Sequence, residues 1–208
     1  SPPVLTQVPA FLLLVAVTVA GMTLAVLHNA PAIAILAILG GLATPLLVAT
    51  GNNSRDSLFT YLLLLDLGVL GVAFFRNWRA LDTVAIIGTY ILYSGWFGKY
   101  YSREQLIPAL AWLGVFYALF LCLPFIFHLL KKTEVALERF ILALINAAFA
   151  SGFAWYLLNA DHQKTLGFIA LAMAAIYLAM GTAFRHRLPA DGKTLFGAIS
   201  LATAFLTM

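Results

Sequence analysis

The chain has 208 residues, of which 63% are hydrophobic and 10% are charged, and its formal net charge is +4. Soluble domains carry about 25% charged residues, so this composition excludes an ordinary soluble protein and is typical of a polytopic membrane protein. The basic residues lie at the ends of apolar stretches, where membrane topology places them, and therefore do not indicate nucleic-acid binding. The single cysteine, Cys122, lies inside an apolar stretch and cannot form an internal disulfide.

Apolar stretches follow one another along the whole chain. A crossing helix needs about 20 such residues, so the first seven stretches predict full spans and the short last one predicts the start of a helix in a longer native protein. Only Asn29 and Ala30 separate the first two, and Pro31 suits the first turn of a new helix, which predicts a tight hairpin. The eight stretches are 9–28, 31–50, 57–75, 80–97, 106–130, 140–158, 166–184 and 194–208.

The predicted fold class is therefore all-α, a polytopic transmembrane helix bundle with seven full spans plus the start of an eighth. We expect a single transmembrane helical domain over residues 1–208. If all stretches cross, the connectors after the odd-numbered spans hold eight basic residues and the others hold four, which predicts that the first set is cytoplasmic. The first set is Arg76, Arg79, Lys131, Lys132, Arg139, Arg185, Arg187 and Lys193, and the second is Arg55, Lys99, Arg103 and Lys164.

Asp66 lies at the centre of the third stretch, and it is the only acidic or basic residue placed in the middle of a span. A carboxylate at that depth costs roughly 2.5–3.5 kcal/mol on insertion scales, so it usually faces protein or a water-filled path. We expect Asp66 to face the bundle interior near Gly88 and Thr89 or near Asn146. No Lys or Arg lies at the same depth, so it should be protonated, hydrated or paired with protein absent from this sequence.

Other polar groups share the depth of Asp66 if the spans are antiparallel. They form a candidate substrate-binding layer in the middle of the membrane, or they are simply hydrogen bonds between packed helices. Pro45 removes an amide donor within the second span, so we expect that span to be bent or locally unwound from Gly40 to Pro45. The candidate site residues are Asp66, Gly40, Gly41, Thr44, Pro45, Thr89 and Asn146.

Small residues recur at four-residue spacing in several spans, which predicts close helix packing. The pairs are Ala16 and Ala20, Ala148 and Gly152, and Ala175 and Ala179. The four histidines are scattered and form no spacing typical of a metal site, and no nucleophile elbow, Walker loop or dinucleotide fingerprint occurs. We therefore expect no metal, no cofactor and no enzymatic activity.

Three segments resemble a large uncharacterised bacterial family of predicted membrane proteins, a domain-of-unknown-function family of the inner membrane. They are residues 40–51, 58–70 and 74–89, and they contain a Gly-Gly…Thr-Pro-Leu stretch, a Leu-rich span and an Arg/Trp/Arg turn. The matching residues are Gly40, Gly41, Thr44, Pro45, Arg76, Trp78, Arg79, Gly88 and Thr89. The resemblance implies a multi-pass location in the bacterial inner membrane and longer native chains, but it brings no activity.

Two functions compete at this point. One is binding or transport of a small solute or lipid-like molecule at the midplane polar site. The other is a non-catalytic scaffold or assembly subunit of the cell envelope, whose partners are the lipid bilayer and either the remaining spans of a longer chain or other membrane subunits. A water-accessible cavity that reaches Asp66 would favour the first, and an Asp66 sealed by side-chain hydrogen bonds would favour the second.

Overall fold

The computed structural model describes residues 7–47, 55–76, 78–131, 137–158 and 163–185. The chain divides into two compact units, Ser1–Gln105 and Leu106–Met208. The predicted last helix, residues 194–208, lies outside the described residues.

Every described element is helical, as the all-α prediction requires, and each of the seven α-helices covers one of the first seven predicted stretches. Several helices begin or end up to three residues outside the predicted stretch, whereas the second helix ends at Leu47, three residues before the predicted end. A short 3₁₀ turn, Arg103–Gln105, precedes the fifth helix. The helices are α1 (Gln7–Leu27), α2 (Pro31–Leu47), α3 (Arg55–Arg76), α4 (Arg79–Tyr100), α5 (Leu106–Lys131), α6 (Leu137–Leu158) and α7 (Gln163–Arg185).

Among the described residues, four segments are long and apolar enough to cross a membrane, and they belong to α3, α4, α5 and α6. The apolar parts of α1, α2 and α7 are shorter than this length and run over Phe11–Leu27, Pro31–Leu47 and Lys164–Tyr177. The prediction of seven full spans is therefore supported for four helices, and the other three contain shorter apolar segments.

In the first unit, α1 and α2 form the predicted hairpin. Asn29 turns the chain with a positive φ of 52°, a conformation that asparagine adopts more readily than most residues. Helix α2 also packs against α3 and α4, and α3 packs against α4. Arg76, at the end of α3, donates from Nη2 to the carbonyl oxygen of Val26 in α1 at 2.6 Å. This bond adds a side-chain donor to a carbonyl in the last turn of α1, which otherwise accepts, among the described residues, only a long bond from the Asn29 amide at 3.4 Å.

The second unit contains α5, α6 and α7. Helix α6 packs against both α5 and α7. Its core joins large and small side chains from all three helices, and the small residues of α6 let its neighbours approach. The core residues are Tyr117 and Leu121 of α5, Ala147 and Ala150 of α6, and Met173, Ala174 and Tyr177 of α7.

The prediction that the small-residue pairs mediate packing is wrong for the described structure. All six residues are exposed, and a side chain added at Gly152 would meet no atom within 4 Å. The small residues at helix contacts are different ones, among them Gly41, Gly88 and Ala147. Four-residue spacing failed because alanine is frequent on every face of these helices, so spacing alone does not identify the packed face.

Candidate functional site

Asp66 and Thr89 join α3 to α4 in the middle of the first unit. The Thr89 hydroxyl donates a hydrogen bond to Oδ2 of Asp66 over 2.7 Å. Both side chains are completely buried, with 0% of their surface exposed. Asp66 therefore faces the interior, as predicted, and of the two predicted neighbourhoods the structure shows a contact with Thr89.

The second carboxyl oxygen of Asp66 is unusual. Oδ1 is buried and has no hydrogen-bond partner among the described residues. A carboxylate kept ionised here would lack both a cation and most of its hydrogen bonds, which is a costly arrangement. The geometry instead suits a neutral carboxyl group or an additional small polar partner at Oδ1.

Gly88, next to Thr89, lies where α4 packs against α2. A Cβ atom built at Gly88 would lie 2.2 Å from Cδ1 of Leu42, which is far inside van der Waals contact. Leu42 itself is buried, so its side chain has little room to move away. A side chain at this position would therefore force Leu42 to move, and glycine allows the approach of α4 to α2 that the structure shows.

A second polar contact joins the carbonyl of Gly41 in α2 to Tyr61 in α3, and Pro45 explains why this carbonyl is available. Pro45 has no amide hydrogen, so the carbonyl of Gly41 loses its usual partner four residues along the helix. The Tyr61 hydroxyl of α3 donates to that carbonyl oxygen over 2.7 Å and so replaces the missing bond. Helix α2 stays helical through Leu47, so of the two predicted alternatives local unwinding is not observed, and a bend between Gly40 and Pro45 stays a prediction.

The other site candidates form separate contacts within their own units. Thr44 is buried, but its hydroxyl donates to the carbonyl of Gly40 in its own helix at 3.0 Å. Gly40 itself is exposed. Asn146 belongs to the second unit, where its Nδ2 donates to the carbonyl oxygen of Tyr117 at 3.0 Å and so joins α6 to α5. Asn146 therefore acts in helix packing within its own unit.

An open groove runs between α1 and α3 in the first unit, with a volume of about 660 Å³. Gly41 of α2 lies beneath it, because a Cβ there would be 3.0 Å from both Thr18 of α1 and Leu65 of α3. Asp66 does not line this groove. The lining residues are Phe11, Val15, Thr18 and Val19 of α1 and Asp56, Ser57, Thr60, Tyr61, Leu64 and Leu65 of α3.

Tyr61 is the contact residue that sequence reasoning missed. The signal for it was present, because a proline four residues after Gly41 predicts an unpaired carbonyl at that depth. In adjacent antiparallel spans, Tyr61 is the hydroxyl-bearing residue closest to that depth in the next helix. Within the described part of the chain, no group of three His, Cys, Asp or Glu side chains is arranged to hold a metal ion.

The comparisons with known proteins agree with the membrane character of this architecture. No curated protein and no solved structure gives a significant match to the chain. A family model described as "Predicted membrane protein (DUF2339)" matches residues 4–208, which includes both units and all seven helices. This chain belongs to that family of predicted membrane proteins.

Proposed function

We propose that the chain is a non-catalytic membrane scaffold, in which the mid-span polar residues hold helices in register and do not bind a transported solute. The observation that carries this proposal is the sealed Asp66, which has no exposed surface and accepts a hydrogen bond from Thr89. The resemblance to inner-membrane proteins supports a location in the bacterial inner membrane. The partners would be other membrane subunits or the remaining spans of a longer chain.

Hydrogen bonding between buried groups fits a scaffold because it sets register as well as stability. Hydrogen bonds between transmembrane helices contribute about 0.6 kcal/mol on average, so a single bond adds little to stability. A polar group in an apolar environment is nevertheless costly without its partner, which disfavours any sliding of α3 along α4. Tyr61 acts in the same way between α3 and α2, since it satisfies the carbonyl that Pro45 leaves open.

Chemical labelling in membranes tests whether water reaches Asp66. The unmodified protein is treated with a water-soluble carbodiimide and an amine, and peptide mass spectrometry gives the modified fraction at each carboxyl group. Asp56, whose side chain is 68% exposed at the start of α3, is the internal positive control. The scaffold proposal predicts modification of Asp56 and none of Asp66. Modification of both at comparable rates would reveal a water path and contradict the proposal.

The second candidate function is binding or transport of a small solute or lipid-like molecule at the midplane. One observation favours it, namely that Oδ1 of Asp66 is buried and has no partner among the described residues. A hydrogen-bond donor on the ligand would pair with Oδ1 of Asp66. In this case Asp66, Thr89 and their neighbours would contact the ligand directly, and carbodiimide modification of Asp66 would be slowed by the ligand.

A further inference from the structure

The packing around Asp66 limits what can pair with its second carboxyl oxygen. Oδ2 accepts the hydrogen bond from Thr89, whereas Oδ1 is buried and has no partner among the described residues. The whole side chain has 0% of its surface exposed, so no space as wide as a water molecule adjoins it. A ligand or a water molecule at Oδ1 would therefore require α3 and α4 to move apart. A proton on Oδ1 requires no such movement.

The helices of the first unit, as described, place no cation close to Asp66. Helices α1 and α2 contain no acidic or basic residue. The other charged residues of α3 are Arg55, Asp56 and Arg76, and those of α4 are Arg79, Asp82 and Lys99. All four cations lie ten or eleven residues from Asp66 or Thr89, which is about 15 Å or more along a helix. An ion pair requires about 4 Å, so an ionised Asp66 would have no cationic partner among these residues.

The titratable side chains closer to Asp66 along these helices are tyrosines. Tyr90 and Tyr93 of α4 are completely buried, and Tyr61 of α3 donates its hydroxyl to the carbonyl of Gly41. A tyrosine hydroxyl is neutral near pH 7, so these residues add no positive charge beside Asp66. An ionised Asp66 would thus be a buried anion with one hydrogen bond, which is far more costly than a buried neutral carboxyl group.

We propose that Asp66 is a proton-binding site whose occupancy controls the contact between α3 and α4. The carboxyl group keeps its proton on Oδ1, and its carbonyl oxygen Oδ2 accepts the hydrogen bond from Thr89. Release of the proton breaks the O–H bond, passes the proton to water and leaves a buried anion. Water can stabilise that anion only if the two helices separate, so the contact is closed with the proton bound and opens when it is lost. This inference deepens the scaffold proposal and rests on the same sealed side chain.

Infrared spectroscopy of the full chain in lipid vesicles at pH 7 tests whether the proton is present. A protonated carboxyl group has a carbonyl stretching band that a carboxylate lacks. We expect this band in the unmodified chain, its loss in Asp66→Asn, and its retention in Asp56→Asn, the matched control at an exposed carboxylate of the same helix. Thr89→Val should keep the band but move it to higher wavenumber, because the carbonyl oxygen loses its hydrogen bond. This shift assigns the band even if Asp66→Asn does not fold.

The pH dependence of unfolding in micelles tests whether the proton holds the helices together. An unfolded aspartate ionises above about pH 4, so the folded chain binds one more proton than the unfolded chain, and stability falls as the pH rises. The unfolding constant of the unmodified chain, divided by that of Asp66→Asn, should rise about tenfold per pH unit until the folded chain also releases its proton. The same ratio against Asp56→Asn should not show this rise.

Two results would overturn the inference. One is a spectrum at pH 7 in which neither Asp66→Asn nor Thr89→Val changes a protonated-carboxyl band. The other is a ratio of unfolding constants for the unmodified chain and Asp66→Asn that does not change with pH. A sealed but ionised Asp66 would contradict this inference and leave the scaffold proposal intact. Carbodiimide modification of an Asp66 that shows the band would contradict the scaffold proposal and leave the proton site intact.

Discussion

At the scale of single residues, depth within a span predicted which polar side chains meet. Asp66 lies ten residues before Arg76, and Thr89 lies ten residues after Arg79, so a tight turn between α3 and α4 brings them level. The sequence therefore predicted Thr89 as one of two alternative neighbours of Asp66, and the structure shows the hydrogen bond between them. For Asn146, the other alternative, the structure gives a contact within the second unit, with the carbonyl oxygen of Tyr117. Depth alone does not say which spans are neighbours.

The close approach at Gly88 gives a test at this scale. Gly88→Ala should lower the free energy of unfolding by about 1–3 kcal/mol, because the new methyl group overlaps Leu42. Gly95→Ala, in the same helix, is the control, since Gly95 is exposed and a Cβ there meets nothing within 4 Å. Unfolding of both variants in mixed detergent micelles measures the difference. Equal stability of the two variants would mean that α4 does not approach α2 as described.

At the scale of helices, α2 shows how a proline is accommodated in a membrane bundle. Pro45 predicted an interruption, since it removes one backbone donor. The helix nevertheless continues, and the freed carbonyl of Gly41 is satisfied by Tyr61 from the neighbouring helix. Local sequence within α2 could not predict this outcome, because the compensating hydroxyl belongs to a different helix.

Removal of the Tyr61 hydroxyl tests whether it compensates for the backbone donor that Pro45 lacks. Tyr61→Phe keeps the ring, which contacts Phe11 with centroids 5.2 Å apart, but leaves the Gly41 carbonyl unsatisfied. We expect a loss of about 1–3 kcal/mol in unfolding free energy. In a Pro45→Ala background, the restored amide can bond to Gly41, so the same change should cost less. An equal cost in both backgrounds would show that Tyr61 does not compensate for Pro45.

At the scale of the whole molecule, composition predicted the all-α membrane class and the positions of seven helices. It did not predict which face of each helix packs. Periodicity identifies a buried face only when the opposite face is polar, and here most faces are apolar because lipid replaces water. The pair Ala148 and Gly152 shows this, because both residues are exposed although their spacing predicted close packing. The division into two units was likewise not apparent, since the connector before Leu106 resembles the others in length and polarity.

Membrane orientation is a prediction at this scale. Arg79 begins α4 and Lys99 lies near its end, about 30 Å away at 1.5 Å per residue, so they should lie on opposite sides. The basic residues predict that Arg76, Lys132 and Arg187 are cytoplasmic and that Lys99 and Lys164 are not. Single cysteines at these positions, in a Cys122→Ser background, can be labelled with an impermeant thiol reagent. Labelling of positions 76 and 99 from the same side would contradict the predicted topology.

The central claim is that Asp66 joins α3 to α4 through Thr89, and a double-mutant cycle tests it most directly. The unfolding free energies of the original chain, Asp66→Ala, Thr89→Val and the double variant are measured in the same micelles. The account predicts that the two changes are coupled by about 0.6 kcal/mol, the average for hydrogen bonds between transmembrane helices, and by at most about 1.7 kcal/mol. Additive effects, within about 0.3–0.5 kcal/mol, would mean that the two side chains do not interact and would contradict the account.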